Sequence, residues 1–184
     1  MSSPFDQSNY SIRPRLSWWN PFVRRCPEYD IASIPPMSST RSVFSWDTGQ
    51  LRRTRDGAVL LTIAPPGAPG LFLNRSYAVS DGTGAPQGTL EPTGDADWTI
   101  KFASGDREIV VRRGRTGVGF GRFVASRDER ELCRFTWTLE ATVRSAELEL
   151  EFLPDADPAL RTLAMALAPL LELRSRLRSE RHNR

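Results

Sequence analysis

The sequence predicts a mainly β fold in which short strands wrap around a hydrophobic C-terminal helix. Two observations carry that reading. First, short apolar runs recur between Gly, Pro and Asp turns from about Ser42 to Phe152. Their spacing of roughly 8–12 residues is that of a sandwich or barrel, with roughly ten or more strands. Second, the one convincing helix lies at the C-terminal end and is apolar on every face from Leu163 to Leu171. A helix of that kind needs apolar surroundings on all sides. No second long helix accompanies it, so the sheet has to supply them.

The elements follow in order. Val43–Trp46 and Leu51–Arg55 are the first candidate strands, the latter leading into the turn Asp56-Gly57. Ala58–Ile63 is a compact apolar run, followed by the Pro/Gly loop 65–70. Leu71–Leu73 starts a further strand, and Ser76–Ser80 runs into Asp81-Gly82. Trp98, Ile100 and Phe102 alternate with polar residues, as a strand with one buried face requires. Glu108–Arg112, Val118–Arg122 and Leu132–Leu139 come next. Ala146–Phe152 is the clearest, with Leu148, Leu150 and Phe152 on one face and Glu147, Glu149 and Glu151 on the other. Those glutamates should face solvent. Asp157 is placed to cap the helix, with Pro158 in its first turn, where a missing N–H is no loss. Pro169 should kink or break the helix near Met165–Pro169.

Residues 1–40 read as an N-terminal tail, 41–178 as the domain and 179–184 as a basic tail. Six prolines and many serines interrupt any sustained period in the first segment. Within it, Trp18, Trp19 and Phe22 stand among Arg15, Arg24 and Arg25. Aromatic rings flanked by cations suit a lipid headgroup region or a partner's groove. They would equally suit a segment folded back over an apolar patch.

Composition excludes much chemistry. The chain has 184 residues with a net charge of +3, and its only lysine is Lys101. Two cysteines, Cys26 and Cys133, exclude a disulfide framework and a Cys-rich zinc module. The single histidine, His182, lies near the C-terminal end, which removes most imidazole-based catalysis. No Gly-x-Ser-x-Gly elbow or phosphate-binding Gly-Lys-Ser/Thr occurs. Catalysis, cofactors and metal sites are therefore not expected. Neither a secretory signal nor a bilayer-length apolar run is visible, so a cytoplasmic setting, with peripheral membrane contact, is the expectation.

The best anion-binding candidate is the stretch 112–122, which carries Arg112, Arg113, Arg115 and Arg122 among four glycines and no acid. Glycines let backbone amides approach an anion, and arginines hold phosphate bidentately. Gly117, Gly119 and Gly121 would alternatively line one strand face and admit the helix at close range. Arg52, Arg53 and Arg55 form a second basic patch, which could simply blunt a strand edge. Residues 41–173 carry a net charge of −2, which argues against a nucleic-acid surface.

Three segments resemble the tubby-like superfamily, which includes the phospholipid scramblases and the LURP-one-related proteins. Tyr77–Leu90 resembles its early strand–turn–strand, and Trp98–Phe102 with Ile109–Arg112 its middle hairpin. Glu149–Leu160, running into the apolar helix, is similar to its closing strand, Pro-Asp turn and helix. The resemblance covers about residues 42–178. It implies a closed antiparallel barrel of about twelve strands enclosing the hydrophobic helix, and an association with membrane lipid such as phosphoinositide. The acidic run that the scramblases place near the helix is reduced to Asp155 and Asp157, too few for a calcium cage. The expected function is a non-enzymatic module that binds lipid or another anion at a membrane surface. The alternative is an assembly subunit docking into a protein partner through its N-terminal aromatic and basic residues.

Overall fold

The computed structural model describes residues 5–14, 29–34, 44–47, 49–64, 75–94, 97–114, 121–139 and 146–182. They form one antiparallel sheet and one C-terminal helix. The strands are β1 (Asn9–Pro14), β2 (Tyr29–Ile34), β3 (Phe44–Asp47), β4 (Gln50–Arg53), β5 (Val59–Ala64) and β6 (Tyr77–Asp81). They continue with β7 (Pro86–Thr93), β8 (Asp97–Phe102), β9 (Glu108–Gly114), β10 (Arg122–Arg127), β11 (Arg130–Leu139) and β12 (Ala146–Phe152). The helix α1 spans Pro158–His182.

Each strand pairs with its neighbours in sequence, so the topology is a simple up-and-down meander. β1 is the exception, because it pairs with β2 on one side and β12 on the other. The hydrogen-bonded order therefore returns to its starting strand. Three register shifts, at Leu51/Arg52, Val79/Ser80 and Ala125/Ser126, bend the sheet.

The pleat sorts the side chains into two sets. Tyr10, Ile12, Tyr29, Ile31, Leu61, Ile63, Tyr77, Val79, Trp98, Ile100, Ile109, Val111, Leu148 and Leu150 alternate along their strands and are all buried. Against them lies α1, whose residues from Leu163 to Leu171 are buried without interruption. Burial on every face is what its all-round apolar sequence demands, and each Leu or Met removed from water contributes about 1.5–3 kcal/mol. Gly88 on β7 lies close against the helix. A Cβ there would collide with the Lys101 carbonyl oxygen and come within 3.1 Å of Leu163 Cδ1.

The chain departs from its sequence reading in four places. Residues 1–40 are not merely a tail: they supply β1, β2 and the fully buried Phe5. Their prolines are compatible with this because Pro14 ends its strand and Tyr29–Ile34 contains none. The helix is not broken at Pro169. The missing N–H costs one backbone bond, and the buried leucines on either side outweigh it. The helix also continues through the expected basic tail to His182. Finally, Glu147 is buried rather than solvated, bonded to Ser11 Oγ and held by Arg13 at 2.8 Å.

Candidate functional site

The meander places its connections alternately at two ends. At one end lie the turns 54–58, 82–85, 103–107 and 128–129 and the start of α1. We call it the turn end. At the other lie Arg13, Arg75, Arg112, Arg113, Arg122 and Arg174, the arginine end.

The turn end is built from short, satisfied loops. Asp56 accepts the Ala58 amide at 3.1 Å, and Asp81 accepts the Thr83 and Ala85 amides at 2.9 and 3.0 Å. Both carboxyls are held below their ordinary range, Asp56 by the Ala58 amide and Asp81 first by the Thr83 hydroxyl at 2.6 Å and then by the amides. Asp157 caps the helix by accepting the Leu160 amide at 2.9 Å, and Arg107 grips it with both terminal nitrogens. Partial burial opposes ionisation of Asp157, but Arg107 and the helix amides prevail, so its carboxyl titrates below 3.8. Arg161 reaches back from the helix to the carbonyls of Phe5, Asp6 and Gln7, the last at 2.9 Å. A cleft of about 480 Å³ at this end is lined by Arg127, Asp128, Arg130, Leu132 and Asp155. Its lining is mostly charged, unlike the apolar wall of a small-molecule site, and Arg127 already pairs with Asp128 at 3.5 Å.

At the arginine end, the structure divides the predicted cluster. Arg112 and Arg113 are neighbours in β9, so the pleat sends them to opposite faces. Arg113 shares the face of Ile109 and Val111 and stands opposite Phe123 in the β10 register. Arg112 lies on the outer face opposite Val124. Both are exposed, and neither makes an ion pair among the described residues. Arg122 is committed elsewhere. It pairs with Glu131 at 3.2 Å, Glu131 with Arg134 at 2.6 Å, and Arg134 with Glu151 at 3.3 Å. This row ties β10, β11 and β12 together on the outside. Asp97 accepts the Arg113 amide at 3.0 Å.

Arg115 lies outside the described residues, as do Trp18, Trp19, Phe22, Arg24 and Arg25. The structure does show where the aromatic segment is attached. Pro14 and Tyr29 both stand at the arginine end, so residues 15–28 begin and finish there. Gly117 and Gly119 also fall outside the described residues. Gly121 faces the Trp137 ring, where a Cβ would meet Cε3 at 3.3 Å.

Sequence reasoning missed the buried charges. Glu172 accepts a bond from Tyr29 Oη at 2.5 Å, and Arg174 donates to the Gly94 carbonyl at 3.3 Å. Arg174 also lies over the Trp98 ring, 5.5 Å from its centroid. Nothing local distinguishes these two residues from a solvated helix end. Tyr77, near Trp98, is pushed up to about 12 by burial and stays neutral.

The remaining chemistry is sparse. The Cys133 thiol is buried and pushed up to about 12, so it is not a nucleophile at neutral pH. Among the described residues no three His, Cys, Asp or Glu side chains gather as a metal would require. No described helix is long and apolar enough to cross a membrane. No family model, curated protein or solved structure matches the chain.

Proposed function

We propose that this protein is a non-enzymatic, tubby-like barrel that binds anionic lipid headgroups, such as phosphoinositides, or a related anion at a membrane surface. In this reading the ring of strands is closed around α1, and the arginine end is the binding face. Arg112 and Arg113 are the primary contacts, with Arg115 next to them in sequence. Trp18, Trp19 and Phe22, flanked by Arg24 and Arg25, supply the interfacial anchor. The protein is cytoplasmic and peripheral. One observation carries the proposal. Two exposed arginines with no ion pair among the described residues stand at the same end as both attachment points of the aromatic segment. Guanidiniums without carboxylate partners suit phosphate, and Trp flanked by cations suits the headgroup region.

Co-sedimentation with vesicles tests it. Vesicles containing phosphatidylserine or a phosphoinositide should retain the protein at low salt and release it at high salt, while neutral phosphatidylcholine should not. Arg112→Ser/Arg113→Ser should abolish retention without changing the thermal midpoint. Equal behaviour with both vesicle types would remove the proposal.

The attachment of residues 15–28 at this end favours a second reading, docking into a protein partner. Replacing residues 16–27 by a Gly/Ser linker, with both strands intact, separates the two. Loss of a co-purifying protein with vesicle retention unchanged would favour the partner.

A further inference from the structure

We propose that Glu172 and Arg174 form a transverse brace that fixes the depth and rotation of α1 within the ring of strands. The reasoning starts from what an apolar helix lacks. From Leu163 to Leu171 the helix offers only Leu, Ala, Met and Pro to its surroundings. Such contacts are not directional. Sliding by about 1.5 Å with a turn of about 100° exchanges one small or aliphatic side chain for another.

Glu172 and Arg174 break that degeneracy. Both are buried, at 3% and 7% exposure, although they belong to the charged end of the helix. Two positions apart on a helix is a rotation of about 200°, so the two side chains leave it in nearly opposite directions. Their partners lie accordingly. Glu172 meets Tyr29 on β2. Arg174 meets the Gly94 carbonyl, which follows β7, and the ring of Trp98 on β8. In the strand order β2 and β8 are six places apart of twelve, which is diametrically opposite. One displacement of the helix would therefore pull both charges from their partners at once, and a buried charge without its partner is strongly penalised.

At its other end α1 is held by Asp157 on Arg107 and by Arg161 on the carbonyls of residues 5–7, contacts that are part-buried or exposed and so constrain it less strongly. The brace secures the far end, and with it the axial position of residues 175–182, which continue the helix. This inference is independent of what the arginine end binds.

The test uses the full chain carrying Glu172→Leu and Arg174→Leu, which keeps the interior filled. It reads the indole N–H resonance of Trp98, identified by its loss in Trp98→Phe. The thermal midpoint should stay within about 5 °C of the native value. The resonance should split or broaden as the helix samples more than one position. A single sharp resonance would overturn the proposal. So would a larger drop in midpoint or failure to fold, because the pair would then supply stability rather than position. Tyr29→Phe removes the hydrogen bond to Glu172. It should speed amide exchange at Leu171–Leu173 by about tenfold or more, and unchanged exchange there would count equally against the brace.

Discussion

The two ends of the molecule solve different problems with the same twelve strands. At the turn end the connections 54–58, 82–85 and 103–107 are closed by their own hydrogen bonds, three register shifts sharpen the bend, and Asp56, Asp81 and Asp157 serve as turn and cap acceptors. At the arginine end, Glu172 and Arg174 are buried, Arg13 and Arg122 pair with Glu147 and Glu131, and Arg112 and Arg113 are exposed with no ion pair among the described residues. Structural groups are satisfied, while groups available to a ligand are not. Charge alone does not separate the two, because Arg107, Arg134 and Arg161 are as cationic as Arg113.

The contrast can be broken in several ways. The largest effect is expected from removing residues 1–40. That deletion takes away β1, β2 and Phe5 and leaves β3 and β12 each with one unpaired edge, so the chain should lose cooperative unfolding by circular dichroism. Gly88→Ala comes next. The added methyl collides with the Lys101 carbonyl and presses on Leu163, which should cost about 3 kcal/mol in urea unfolding. Asp157→Ala removes the cap and orphans Arg107, for about 2 kcal/mol. Arg112→Ser/Arg113→Ser, by contrast, should leave urea unfolding within about 0.5 kcal/mol of native while removing anionic-vesicle retention.

The pH dependence sharpens the same comparison. Asp157 titrates below its ordinary 3.8, so its contribution is present above that value and disappears as pH falls through the lower folded one. Asp157→Asn should flatten the native chain's loss of stability on acidification below pH 4. Tyr10 and Tyr77 are both raised from 10.0 to about 12, chiefly by burial. A raised phenol favours the folded state below pH 10, and the advantage is lost between 10 and about 12. Tyr10→Phe with Tyr77→Phe should therefore blunt alkaline unfolding followed by tryptophan fluorescence.

Much of the fold was legible because alternation is a local signal. β8, β9, β11 and β12 announce themselves through residues such as Trp98, Ile100 and Phe102, and the helix through its unbroken apolar run and Asp157-Pro158 start. β1 and β2 were hidden because each buries only two alternating apolar residues, Tyr10 with Ile12 and Tyr29 with Ile31, among prolines and serines. Composition averaged over forty residues erased them. β7 was visible only through the family resemblance. The site was half legible. The arginines between 112 and 122 were found, but adjacent strand residues cannot share a face, and the partner that occupies Arg122 lies across a hairpin at Glu131. The roles of Glu172 and Arg174 depend on strands more than seventy residues away, which no local pattern encodes.

The ladder joining residues 9–12 to 148–151 has a consequence for biosynthesis. It zips β1 to β12, and α1 is made after both. A nascent chain therefore carries the unpaired edges of β1 and β11 until β12 has been made. Pairing of β1 with β12 and docking of α1 become late events, and any pause before residue 152 leaves adhesive strand edges exposed.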